Sequence, residues 1–139
     1  CCMRKMLLGV GLLFLGGALR ADEPTGGYFD DAQIPCVDAS SEVSRGRCHR
    51  DALMRADQEL NALYQELLSL ADEGQEQQLR RMQRAWIALK EAQCAFVVDY
   101  HGGAANPGKF GTYCEAVMTI RRVRELQQLG TGLLWRREH

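Results

Sequence analysis

Cys36, Cys48, Cys94 and Cys114 sit inside or beside stretches of strong helical periodicity, and together they limit this chain to a small, cross-linked helical domain. A zinc ribbon or a thioredoxin-like redox site needs a CxxC spacing, which the sequence lacks. Structural disulfides are the stronger reading, and such bonds form and persist outside the cytoplasm.

The residues before these cysteines carry the same message. Met3 to Ala21 begins with Arg4 and Lys5, runs through MLLGVGLLFLGGAL and reaches Ala21 just ahead of Asp22 and Glu23. That is the layout of a secretory signal peptide over residues 1–21. The apolar run of 14 residues contains 4 glycines and falls short of the ~20 residues that span a bilayer. Cys1 and Cys2 precede Met3 and are read as lying upstream of the true start. No cysteine directly follows the apolar run, so no lipid anchor is expected.

Cleavage after Ala21 takes away Arg4, Lys5 and Arg20 and no acid, leaving 14 basic against 18 acidic residues and a formal charge of −4. A mildly acidic chain argues against a nucleic-acid binder, which wants a basic face. It suits a cationic partner, although a charge this small is also an ordinary solubility balance. The 118 residues that remain are enough for one domain.

Residues 22–35, with Pro24, Gly26, Gly27, Asp30, Asp31 and Pro35, read as an irregular N-terminal arm. From Ser40 or Ser41, either of which can cap a helix, Leu53, Ala56, Leu60, Leu63, Tyr64, Leu67 and Leu70 recur at steps of three and four. This helix is expected to end near Ala71, with Asp72, Glu73 and a left-handed Gly74 as the turn. A second helix follows from about Gln75 to Tyr100, its buried face marked by Leu79, Met82, Trp86, Leu89, Phe96 and Val97. Gly102 and Gly103 end it. Asn106, Pro107 and Gly108 keep the next stretch irregular, and Thr112 caps a third helix carrying Val117, Ile120, Val123 and Leu126 to about Leu129. Residues 130–139 form a tail. The expected fold is all-α over residues 36–129: an antiparallel long helical hairpin plus a third helix, stapled by two disulfides.

Cys36 and Cys48 would stand ~18 Å apart on one continuous helix, beyond disulfide reach. They can pair only if Cys36 lies before the helix and the chain folds back along its first turns. Cys94 and Cys114 can meet across the glycine-rich loop. The favoured pairing is therefore Cys36 with Cys48 and Cys94 with Cys114, each closing a local segment at ~3 kcal/mol in the chain-entropy model. Pairing Cys48 with Cys94 across the hairpin and Cys36 with Cys114 remains open.

Nothing in the sequence assembles an enzyme. His49, His101 and His139 are scattered, with His49 read as a surface residue and His101 as a cation at a helix end. Glu59 and Glu66 read as solvated helix positions. No G-x-S-x-G, phosphate-cradling glycine loop or H-E-x-x-H occurs. No catalytic, cofactor or metal residue is assigned.

From Cys48, the run CHRDALMRADQELNALY places Ala56, Asp57, Leu60, Asn61 and Tyr64 in a recognisable pattern. QRAWIALKEAQCAF adds Gln83, Trp86, Lys90, Glu91, Cys94 and Phe96, and Gly103, Cys114, Thr119, Arg122, Glu125 and Leu126 complete it. Over residues 36–126 the chain resembles the lysozyme inhibitor LprI-like N-terminal domain family. The resemblance implies an exported helical domain and, as function, inhibition of host c-type lysozyme. Arg45 and Gly46 depart from the family's usual methionine and asparagine, and the lipid anchor of the family's named member is not expected here.

Asp57, Leu60, Asn61, Tyr64, Gln83, Trp86 and Arg122 are read as structural motif residues. A buried indole N–H usually finds an acceptor, and Asp57 or Asn61 is expected to supply one to Trp86, with Lys90 or Arg84 balancing the carboxylate. Partner contacts are expected from the loop between Cys94 and Cys114, at Gly102, Gly103, Asn106 and Lys109. The leading expectation is an exported protein that obstructs the cleft of c-type lysozyme. An interaction or immunity protein against another envelope-damaging effector, and a structural envelope module, are the alternatives.

Overall fold

The computed structural model describes residues 34, 36, 39–101 and 107–138, and every regular element among them is a helix. α1 spans Glu42–Leu70, α2 Glu73–Tyr100, α3 Pro107–Leu129 and α4 Thr131–Glu138. The expected signal peptide, most of the arm, and Gly102, Gly103 and Asn106 lie outside the described residues.

Ser41, in extended conformation, caps α1: its Oγ accepts from the Ser44 N–H at 3.1 Å, while its own N–H donates to Ser44 Oγ at 3.0 Å. Asp72 does the same for α2, accepting from the Gln75 N–H at 2.8 Å and donating its N–H to Gln75 Oε1 at 3.0 Å. This second cap corrects the expected turn. Because Asp72 starts a helix at once, Gly74 lies in the first turn of α2 and is not left-handed.

The start of α3 is also corrected. It begins at Pro107, whose fixed φ and missing N–H suit a first helical position, so Thr112 lies within the helix. The expected tail is in fact a short helix, α4, whose Leu133 and Leu134 pack against Leu60, Leu63, Leu67, Val123 and Leu126.

The packing fixes the directions. Ile34 and Ala52, near the start of α1, cluster with Tyr113, Ala116 and Val117 near the start of α3, while Leu60 to Leu67 meet Val123 and Leu126 further along. α1 and α3 therefore run parallel. Leu79 and Met82, early in α2, join the second of these clusters, and Cys94 and Val97, late in α2, meet Cys114 and Met118. α2 is antiparallel to both, and α3 is the helix against which the two arms of the hairpin pack.

The buried face of α2 is narrower than expected. Trp86 and Val97, three turns apart, lie on one line, and Leu89 and Phe96 fall roughly 60–80° round the helix from it. Both are exposed, Phe96 at 67 %.

Both disulfides have the favoured pairing. Cys36 and Cys48 are joined with a Cα separation of 6.0 Å, and Cys94 and Cys114 with 5.5 Å. The start of α1, the end of α2 and the start of α3 meet at one end of the bundle, so both bonds staple that end.

Candidate protein-binding surface

The stapled end carries a row of aromatic rings. Phe96 stacks on Tyr100 with ring centres 6.0 Å apart and planes inclined by 22°. Tyr100 meets His101 edge-on at 4.9 Å, and His101 stacks on Phe110 at 5.2 Å. Phe96 and Tyr100 are 67 % and 74 % exposed. Cys94, joined to Cys114, lies half a turn before Phe96 and holds the end of α2 against α3. Two stacked, solvent-facing rings on a cross-linked helix end offer apolar area with little entropy left to lose on binding.

Lys109, the one described member of the expected contact set, is engaged within the chain. Its Nζ lies 2.8 Å from Glu42 Oε2 and 5.5 Å from the centre of the Phe110 ring. This pair ties the first turn of α3 to that of α1. The Lys109 hydrogen bond and charge hold the Glu42 carboxyl below its ordinary range.

His49, read from sequence as a surface residue, is buried, with its ring edge-on to Tyr113 at 5.0 Å. Its Nδ1 has no hydrogen-bond partner. Burial, and to a lesser degree the charges of Arg45 and Lys109, push its pKa below the usual imidazole value. The alternation of α1 contains the signal: His49 precedes Ala52 and Ala56 at steps of three and four on the buried face.

The motif residues separate into two groups. Arg122, 3 % exposed, donates from Nε to Gln83 Oε1 at 3.2 Å and from Nη1 to Glu125 Oε2 at 2.7 Å. Its guanidinium carbon lies 5.6 Å from the centre of the Trp86 ring, and Lys90 Nζ lies 5.1 Å from it. Gln83, Trp86 and Arg122 thus join α2 to α3. Leu60 is in the core, while Asn61 is exposed and Asp57 and Tyr64 are half-buried. Neither Asp57 nor Asn61 accepts a hydrogen bond from Trp86, which correlates with the indole being only half-buried and packed against Arg122 instead.

Among the described residues, no group of three or more His, Cys, Asp or Glu side chains is placed to hold a metal ion, and no helix is long and apolar enough to cross a membrane. The sequence pattern of the family described as lysozyme inhibitor LprI matches residues 36–126, from the first paired cysteine to the last core leucine of α3. The chain belongs to the LprI family. No curated protein and no solved structure matches it. The LprI match takes in both disulfides, the Gln83–Trp86–Arg122 junction and the aromatic row, and it ends before α4. From sequence, Phe96 at helical spacing reads as core and Tyr100 as the last residue of the helix, so neither is expected as a contact.

Proposed function

We propose that this protein is exported and inhibits c-type lysozyme by obstructing its substrate cleft, with the stapled end of the bundle as the contacting surface. The observation that carries this reading is the LprI match over the whole disulfide-linked domain. The exposed Phe96–Tyr100 pair supports it, since a protruding aromatic anchor is what a concave site accepts. Gly102, Gly103, Asn106 and Lys109, which lie in sequence between the two cysteines of the second disulfide, are proposed as further partner contacts. Two disulfides and the Met3–Ala21 signal layout support a location in the periplasm or outside the cell.

The test is a titration of the oxidised protein, residues 22–139, into c-type lysozyme acting on cell walls. Inhibition that saturates at a fixed ratio is expected. Unchanged lysis at micromolar excess would remove this reading and leave an interaction or immunity role against another effector.

A further inference from the structure

At the other end of the molecule, α2 and α4 both rest on the ends of α1 and α3 without packing closely against one another. Between them runs an open trough of about 1040 Å³, whose apolar surface includes Leu79 and Met82 from α2, Leu126 beneath, and Leu133 from α4. Arg81 and Arg136 stand along it, on α2 and α4 respectively. Neither guanidinium has a carboxylate partner among the described residues; Arg136 Nε donates only to the Gly132 carbonyl, at 3.3 Å. Asp72, the carboxylate that also lines the trough, is turned onto the α2 cap, where its Oδ1 accepts from the Gln75 N–H.

An apolar floor between two uncompensated cations asks for an occupant that is apolar on one side and anionic at its edges. The trough is open along its length, so that occupant keeps a face in water. An amphipathic helix satisfies both conditions, entering as one more helix of the bundle. An acyl chain, which gains most from full enclosure, does not. We propose that the trough between α2 and α4 docks an amphipathic helix of a partner protein whose apolar stripe is flanked by Asp or Glu side chains. The trough lies roughly 20 Å along α2 from the aromatic row, and the α4 wall lies beyond the family match. This surface is therefore independent of the inhibitory one.

The probe is a labelled synthetic peptide of about 18 residues, long enough to hold a helix, with leucines at i, i+3, i+4 and i+7 flanked by glutamates. A second peptide keeps the leucines and replaces the glutamates by lysines. Fluorescence anisotropy with the oxidised protein should show the glutamate peptide binding about tenfold or more tightly than the lysine peptide. Ala85→Glu, at an exposed position lining the trough, should abolish that binding with the helical circular dichroism unchanged. The double variant R81E/R136E should reverse the preference and supports the proposal even if Ala85→Glu fails to fold. Equal binding of both peptides, or no binding of either, overturns it. So does saturation by dodecanoate alone, which would make the trough a lipid site, or a dimer in sedimentation that Ala85→Glu breaks, which would make a second copy the occupant.

Discussion

Arg122 packs against Trp86, its guanidinium carbon 5.6 Å from the ring centre, and with its hydrogen bond to Gln83 this contact is the polar joint between α2 and α3. Arg122→Ala is expected to destabilise the fold by about 1.5–3 kcal/mol, the range for buried hydrogen bonds to a charged group. Arg122→Lys should recover little of that, because an ammonium has neither the planar fork nor the flat face. Urea unfolding followed by far-ultraviolet dichroism measures both; a midpoint within error of the parent for Arg122→Ala would show that the joint contributes nothing.

Gly130 is placed where no side chain fits. A Cβ there would collide with Leu67 Cδ2 and approach the Leu126 carbonyl oxygen to 2.9 Å. Leu67 is fully buried and cannot yield freely. Gly130→Ala should therefore cost about 1–3 kcal/mol, as overpacking does, whereas Gly132→Ala, with open space around it, should not destabilise. Thermal melts of the two variants side by side give the comparison.

The buried His49 predicts how stability varies with acidity. Its folded pKa is lowered from 6.5, so protons bind the unfolded chain more readily. Stability should be constant above that value and fall as the pH drops through it. Glu42, whose carboxyl is held below 4.5 by Lys109, contributes above that value and adds a second decline at lower pH. His49→Phe removes an unpartnered buried nitrogen while keeping a ring against Tyr113, and it should flatten the upper decline only. A melting temperature that falls just as steeply in this variant between neutral pH and pH of about 5 would assign the effect elsewhere.

The aromatic row separates binding from folding. Phe96→Ala and Tyr100→Ala remove exposed rings, so the melting temperature should stay near that of the parent. Inhibition of lysozyme should weaken about tenfold or more for each, as for truncation of an interface anchor. Undiminished inhibition by the Phe96→Ala/Tyr100→Ala double variant would place the contact elsewhere.

Each disulfide should contribute about 3 kcal/mol in the chain-entropy model. Replacing Cys94 and Cys114 together by alanine should lower the melting temperature, and so should replacing Cys36 and Cys48. Peptide mass mapping of the oxidised parent should recover the two local links and no bridge between Cys48 and Cys94.

Most of the fold could be read before the structure because its determinants are local. Leucines at steps of three and four placed α1, and the short connection at Asp72 made α2 run antiparallel to it. The disulfide pairing was favoured because each link closes a local segment, while helix rise excluded only a continuous helix through Cys36 and Cys48. What could not be read depends on which face meets which. Phe96 has the same periodicity as a core residue, and its exposure is set by the position of α3. His49 is buried because Tyr113, far away in sequence, lies over it. The tail becomes α4 because Leu133 and Leu134 find an apolar surface that only the assembled α1 and α3 provide.

Both disulfides close one end of the bundle, and among the described residues the other is held by the short α1–α2 turn and by side-chain packing. Thermal motion should then have a direction: amide hydrogen exchange should be fastest in α4 and around the α1–α2 turn and slow steadily toward Cys48, Cys94 and Cys114. The aromatic row would meet its target as a rigid body. The trough, at the end free to breathe, can widen to admit a helix and close on it without disturbing the clasp.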